Sequence, residues 1–333
     1  MFRFLPARVG DPARQQRHSG WPLIRKILIA NRGEIAVRIV RACQEADIES
    51  VAIYADADRH ALHVKKATEA YNIGPDPVTG YLNAHRIVNL AAATGCDALH
   101  PGYGFLSENP ELASICQRRG IKFIGPDAEV IRKMGNKIEA RRSMIEAGVP
   151  VVPGSDASLA SLDEAIALAT DIGYPVMLKA TSGGGGRGMR IAATTAELSD
   201  VFSVASGEAR AAFGNPDLYL EKYIEKPRHI EIQVLGDHFG NYIHLGEREC
   251  SIQMRYQKLI EESPSPFVDE DLRNKLGETA IQVARLVEYT NAGTMEFLVD
   301  KSKNYYFMEV NARVQVEHPV TEMITGVDIV KEQ

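Results

Sequence analysis

The chain has 333 residues, 45% hydrophobic and 25% charged, with 38 Lys and Arg against 44 Asp and Glu for a formal net charge of −6. That length can bury a core without disulfide staples and suggests about two domains. The composition excludes a disordered chain, a collagen-like fibre and a small disulfide scaffold, and no basic excess marks a nucleic-acid binder.

The four cysteines, Cys43, Cys96, Cys116 and Cys250, form no C-x-x-C pair and have no histidines at zinc spacing, which fits a reducing compartment. No apolar run approaches the roughly 20 residues of a membrane span, so a cytoplasmic protein is expected.

In chain order, residues 1–22 carry Arg3, Arg8, Arg14 and Arg17 against one acid, Asp11. An arginine-rich, acid-poor opening can be a transit peptide, but this one is poor in serine and weakly periodic. It reads as a disordered tail or a misassigned start. A strand at 26–30 ends in the turn Asn31-Arg32-Gly33, and a helix at 34–46 follows with Ile35, Ile39, Val40 and Cys43 on one face. A strand at 50–54, a helix at 84–94 capped by Asn83, a strand at 97–99, a helix at 110–118 and a strand at 122–124 complete an alternation of parallel βαβ units that ends near Pro126. A single helix at 128–147 is closed by Gly148 and Pro150, and another spans 162–170. Strands at 174–180 and 190–193 flank a glycine run. A helix at 198–212, strands at 218–223, 229–235, 241–246 and 258–261, a helix at 272–287 and strands at 293–299 and 305–311 follow. This half is α+β with mostly antiparallel neighbours.

Four segments hold groups suited to chemistry. Lys179 precedes Gly183-Gly184-Gly185-Gly186-Arg187-Gly188 between two strands. Bare glycine amides can reach phosphate oxygens there, or the loop is a surface hairpin. If 293–300 and 305–311 form a hairpin closed by 301–304, Asp300 faces Tyr305, Leu298 faces Phe307, and Glu296 faces Glu309. Opposed carboxylates repel unless neutralised, and a hard divalent cation does so. Glu309, Asn311, Arg313, Gln315 and Glu317 alternate with Val310, Ala312, Val314 and Val316, so an extended segment sets polar groups on one face. Such a set can bind an oxyanion and supply a base. His229, Glu231 and Gln233 likewise share a strand face, whereas residues 247–258, dense in polar groups, read as a solvated loop.

At these residues the chain resembles the biotin carboxylases, the ATP-grasp component of biotin-dependent carboxylases. The motifs are ILIANRGEIAVRI at 27–39, HPGYGFLSEN at 100–109, LKATSGGGGRGMRI at 178–191 and VQVEHPVTEMITG at 314–326, and the likeness runs from about Leu23 onward. It implies a Rossmann-like domain over 23–130, then an ATP-grasp domain over 131–333 with a lid at about 150–224. It also implies that ATP activates bicarbonate as carboxyphosphate and that the carboxyl passes to biotin on a partner. Carried over by motif, Lys137 and Lys179 contact phosphates and Gly185 and Gly186 form the lid. Glu221, Lys222 and Ile224 lie at the adenine, with His229 and Gln253 near the nucleotide. Glu296, Glu309 and Asn311 hold Mg²⁺ or Mn²⁺. Lys258, Arg313, Gln315 and the Val316 backbone hold bicarbonate, with Glu317 as base and Arg313 catalytic. A biotin carboxyl carrier, a carboxyltransferase and a homodimer are the implied partners, with no nucleic acid or membrane.

The chain departs from the family in four places. Met254-Arg255-Tyr256 replaces a second arginine and a small polar residue, and Ala312 replaces Thr or Pro. The family continues beyond Gln333 into strands that carry a further arginine for the biotin enolate. No Ala/Val-Met-Lys-Met biotinylation motif is present. On this reading the chain hydrolyses ATP slowly at most and carboxylates biotin negligibly, because losing an oxyanion donor costs about 10²–10³ in rate. Two alternatives are another ATP-grasp ligase and a non-catalytic nucleotide-binding fragment. The lid assignment has its own test: hydrogen exchange at Gly185 and Gly186 is expected to slow on adding Mg-ATP, and unchanged exchange would count against it.

Overall fold

The computed structural model describes residues 23–181, 189–255 and 257–333. The lid glycines Gly185 and Gly186, and Tyr256, lie outside the described residues. The described residues form two compact units, one comprising residues 23–106 with Glu111–Ile124, the other Ser107–Pro110 with those from Gly125 to Gln333.

In the first unit, strands β1 (Lys26–Ile29), β2 (Glu49–Tyr54), β3 (Glu69–Asn72), β4 (Ala98–His100) and β5 (Lys122–Phe123) form a parallel sheet in the order β3-β2-β1-β4-β5. Central β1 buries Ile27, Leu28 and Ile29, and the helix Gly33–Glu45 buries Ile35, Ile39, Val40 and Cys43. The expected alternation of strands and helices is therefore present. Four elements lie outside that alternation: the 3-10 turn Asp56–Asp58, β3 and the helices Leu62–Lys66 and Pro77–Tyr81. Each is three to five residues long, too short to display a period. The Asn31 amide spans the two loops at the carboxyl ends of β1 and β4, donating to Pro101 O and Tyr103 O at 2.7 Å each.

The second unit corrects the helix expected at 128–147. It is two helices, Ala128–Gly135 and Lys137–Glu146, separated by Asn136 at φ −90° and ψ 99°. The Asn136 side chain accepts from Glu139 N at 3.3 Å and caps the second helix, so Lys137 starts it. Strands β6 (Val176–Ala180), β7 (Met189–Ala192) and β8 (Leu218–Lys222) make a small antiparallel sheet, with β6 central. Val176, Leu178, Leu218 and Leu220 bury their side chains against Ala165 and Ala169 of the helix Leu162–Ile172 and Leu198, Ala205 and Ala209 of the helix Thr195–Phe213. Small residues on those helix faces permit the close approach.

Strands β9 (Arg228–Gly236), β10 (Tyr242–Met254), β11 (Gln257–Glu262), β12 (Asn291–Val299) and β13 (Tyr305–Asn311) form the larger antiparallel sheet, ordered β11-β10-β9-β12-β13. The helix Glu270–Leu286 packs on β9 and β10. Residues 247–254, expected in a solvated loop, instead continue β10, and Glu247, Arg248, Glu249 and Cys250 are buried. Polar partners on both faces of the strand offset the burial. On one face Arg273 holds Glu247, and Arg228 and Ser265 hold Glu249; on the other Glu231 holds Arg248. Polarity alone misread the segment. At the β12–β13 hairpin, Val299 pairs with Tyr305 and Phe297 with Phe307, one residue off the expected register. A bulge after Phe297 then sets Glu296 opposite Glu309, as expected. Among the described residues, no helix is long and apolar enough to cross a membrane.

Residues 153–155 run beside β8: Lys222 N donates to Pro153 O at 2.7 Å and Ser155 N to Leu220 O at 2.8 Å. A Cβ on Gly154 would lie 2.3 Å from Leu220 O and 2.9 Å from Glu221 Cα. Backbone cannot yield as a side-chain end can, so Gly154→Ala is expected to destabilise the unit by about 1–3 kcal/mol. A melting temperature equal to that of the unaltered chain would refute this close approach.

Candidate active site

Strand alternation brings the acidic residues to one face. Glu296 on β12 is buried. Its Oε1 accepts from Lys258 Nζ at 2.9 Å, Asn311 Nδ2 at 2.8 Å and Gln315 Nε2 at 2.9 Å. Its Oε2 lies 2.9 Å from His229 Nε2. Gln253 Nε2 donates to the other ring nitrogen of His229 at 2.8 Å, so Nε2 carries the proton toward Glu296. Lys258 on β11 also donates to Glu231 and Glu317, so one ammonium serves three carboxylates.

These contacts set the charges. Burial alone would lower the Lys258 ammonium, but Glu231, Glu296 and Glu317 outweigh it and hold it above the usual lysine range. Burial alone would raise Glu296, yet His229 and Lys258 hold it well below the usual carboxylate range. Glu317 is likewise kept low, because Lys258 outweighs its burial. Glu309 differs. It is half-buried, and among the described residues no hydrogen bond or ion pair reaches its carboxylate. Burial and the facing Glu296 raise its carboxyl, opposed by Lys137.

Strand β13 stops at Asn311, and residues 312–317 turn into the helix His318–Thr325. Asn311, Gln315 and Glu317 still converge, with Ala312 and Val314 buried on the opposite side. Val316 departs from the expected pattern: the turn leaves it 57% exposed. Arg313 donates from Nη2 to Asn311 Oδ1 at 2.8 Å and from Nε to Glu108 Oε2 at 3.0 Å.

On the small sheet, Lys179 pairs with Glu221 and lies 5.9 Å from the Tyr219 ring centre. Arg141, one helical turn after Lys137, reaches Glu221 at 3.7 Å. Lys222 turns away and donates to Gly173 O and Tyr174 O at 2.9 and 2.8 Å, while Ile224, just past β8, is half-buried. Glu108, Arg141 and Arg248 belong to none of the chemical groupings legible in the sequence, and Glu231 shows there only as a member of a strand face. Arg248, completely buried, donates from Nε to Glu231 Oε1 at 2.6 Å, from Nη1 to Gln233 Oε1 at 2.9 Å and Thr321 Oγ1 at 2.7 Å, and from Nη2 to Thr294 Oγ1 at 3.2 Å and Gln315 Oε1 at 2.8 Å. The shared face of His229, Glu231 and Gln233 was its only sequence signal.

A small sheet bearing a lysine, followed by a larger antiparallel sheet bearing opposed carboxylates, is the arrangement that the resemblance to ATP-grasp ligases implies. Residues 136–333 match the family model described as carbamoyl-phosphate synthase L chain, ATP binding domain, and residues 23–131 match biotin carboxylase, N-terminal domain. The chain belongs to the biotin carboxylase family. It is 56% identical to biotin carboxylase 1 of Bacillus subtilis over 313 residues, covering 93% of this chain and 70% of that protein. It is 55% identical to the 2-oxoglutarate carboxylase small subunit of Hydrogenobacter thermophilus, covering 93% and 66%. The solved biotin carboxylase domain dimer of that organism's 2-oxoglutarate carboxylase, in complex with MgADP, ADP and bicarbonate, matches with a TM-score of 0.90 at 55% identity, covering 93% of this chain and 69% of that one. The biotin carboxylase–β,γ-ATP complex of Campylobacter jejuni matches with a TM-score of 0.91 at 50% identity, covering 93% and 70%.

Replacing Lys258 by Met would leave three carboxylates without their shared cation. Removing one partner of such a buried group is expected to cost about 3–5 kcal/mol at neutral pH. Without Lys258 the carboxylates' folded-state pKa values rise, so the loss should shrink as pH falls and they protonate. Melting at pH 5 and pH 8 checks this: an equal deficit at both would refute the charge argument.

Proposed function

We propose that the chain serves the ATP-dependent carboxylation of biotin presented on a carrier, with bicarbonate as the carbon source; the slow turnover expected from the sequence concerns its rate, not the reaction its site is built for. The observation that carries this reading is the single ammonium of Lys258, shared by Glu231, Glu296 and Glu317 beside the Asn311–Arg313 pair. That cluster combines fixed positive charge with a carboxylate kept ionised, as binding and deprotonating a small oxyanion requires.

Lys258 and Arg313 supply the charge that holds bicarbonate, with Gln315 and the Val316 backbone orienting it. Glu317, kept low by Lys258, takes the bicarbonate proton as the oxygen attacks the terminal phosphorus of ATP; the bond from that phosphorus to the bridging oxygen breaks, ADP leaves with the electron pair, and carboxyphosphate forms. Lys137 and Lys179 bind the phosphates, with Gly185 and Gly186 assigned to the same group by motif. Glu221, Lys222 and Ile224 line the adenine, with His229 and Gln253 toward the rest of the nucleotide. In this reading Lys179 exchanges its pairing with Glu221 for phosphate, and Arg141 remains to balance Glu221.

Glu296 and Glu309 fit a hard divalent cation: their donors are oxygens, and Glu309 faces a second carboxylate with no cation bonded to it among the described residues. Mg²⁺ or Mn²⁺ held by this pair, with Asn311 beside it, would neutralise phosphate charge in the transfer. Relatives named as subunits of 2-oxoglutarate and pyruvate carboxylases, and a solved dimer, support a homodimer working with a carrier and a carboxyltransferase.

The test is ATP hydrolysis with and without bicarbonate, with free biotin as acceptor. Bicarbonate is expected to raise turnover, and Glu309→Gln to reduce it by about 10²–10³. That variant should melt no lower than the unaltered chain, since it removes charge repulsion. Bicarbonate-independent hydrolysis would overturn the reading, and full activity of Glu309→Gln would overturn the metal assignment.

A further inference from the structure

We propose that Arg248 is a positioning residue for the bicarbonate end of the site, acting through Glu231 and Gln315; this rests on the function proposed above. A guanidinium has five N–H donors in a fixed fork. All five are used: Glu231, Gln233 and Thr321, Thr294, and Gln315 each accept one. The fork therefore fixes five side chains at once, drawn from β9, β12, the segment after β13 and the helix His318–Thr325.

Two of the five lead directly to reacting groups. Glu231 accepts from Arg248 through Oε1 and from Lys258 through Oε2, so the arginine sets the plane on which the lysine rests. Gln315 accepts from Arg248 through Oε1 and donates through Nε2 to Glu296. The orientation of its amide, which has equal-sized ends, is thus dictated by the guanidinium. Glu317 lies between Gln315 and Thr321, both held by the same fork. Gln233 is held in turn, its Nε2 donating to Gly293 O at 2.9 Å.

Stability is a poor account of this arrangement. A buried ion pair typically gives no more net stability than apolar residues of similar volume. No contact of Arg248 leads to Lys137, Lys179, Glu221 or Lys222, and His229 and Gln253 are reached only two and three steps away, through Gln315 and Glu296. The arginine therefore acts first on bicarbonate and its base, and on the nucleotide only at second hand.

The experiment measures bicarbonate-dependent ATP hydrolysis, varying ATP and bicarbonate separately, for the unaltered chain, Arg248→Met, Arg248→Lys and Thr321→Val. Arg248→Met is expected to lose about 10- to 100-fold in kcat/KM for bicarbonate, as losses of partners that orient ligating groups do. Arg248→Lys should recover part of this, and Thr321→Val should show a smaller loss of the same kind. KM for ATP should stay within about twofold in all three, marking an effect confined to one substrate. If Arg248→Met does not fold, the two milder variants decide. Parallel losses for ATP and bicarbonate, or lowered melting temperatures with kcat/KM for bicarbonate unchanged, would overturn the inference and leave Arg248 structural. Hydrolysis by the unaltered chain that ignores bicarbonate would instead overturn the proposed function, and the inference with it.

Discussion

One ammonium group keeps the acidic face of the large sheet from repelling itself apart. Glu231, Glu296 and Glu317 come from two strands and a helix start, and each points to Lys258. Carboxylates gathered so closely would otherwise raise one another's pKa and take up protons. With Lys258 present Glu296 stays ionised, and an ionised Glu296 orders its other neighbours: His229 on one oxygen, Asn311 and Gln315 on the other. Asn311 then receives Arg313. The positions of the groups that would meet a substrate thus follow, contact by contact, from a lysine that is itself 19% exposed in its side chain.

The large sheet tolerates this charge because neighbouring positions on β10 are satisfied on opposite faces. Arg248 points toward the lysine cluster, while Glu247 and Glu249 point away to Arg273, Arg228 and Ser265. Three consecutive charged residues are buried without an unpaired charge among them, which is the condition for burying charge at all. Past Glu249 the strand's pairing with β11 shifts register, and Cys250 and Gln253 lie within the site, Gln253 on the His229 ring.

Most of the fold was legible because its elements have clear periods. Strands β1, β2 and β4 of the first unit are short apolar runs, β9 alternates, and β12 and β13 are rich in apolar and aromatic residues. Three features escaped. The break at Asn136 is a backbone event inside an unbroken helical pattern. The short elements near residues 62–81 carry no period. The stretch Glu247–Met254 looked like loop because its burial depends on distant residues, Arg228 and Arg273 above all. The site divided in the same way. The opposition of Glu296 and Glu309 was expected from a register that is one residue off at the turn and holds because a bulge restores the phase, whereas Arg248 could not be read at all, since its five acceptors span residues 231 to 321.

The bulge on β13 has a further consequence. In a paired strand, a one-residue slip exchanges the faces. The pairing that starts at the Asp300–Asn304 turn, continued unchanged, would set Glu296 against Met308 and Glu309 against Met295, leaving the two carboxylates on opposite sides of the sheet. The added residue corrects the phase between turn and site. The turn can thus keep the spacing that suits its own closure, with Asp300 accepting from Ser302 N and Asn304 N and Lys303 at φ 65°. The hairpin works as two independently tuned segments joined by a one-residue spacer, so the carboxylate pair does not inherit the register that the turn imposes.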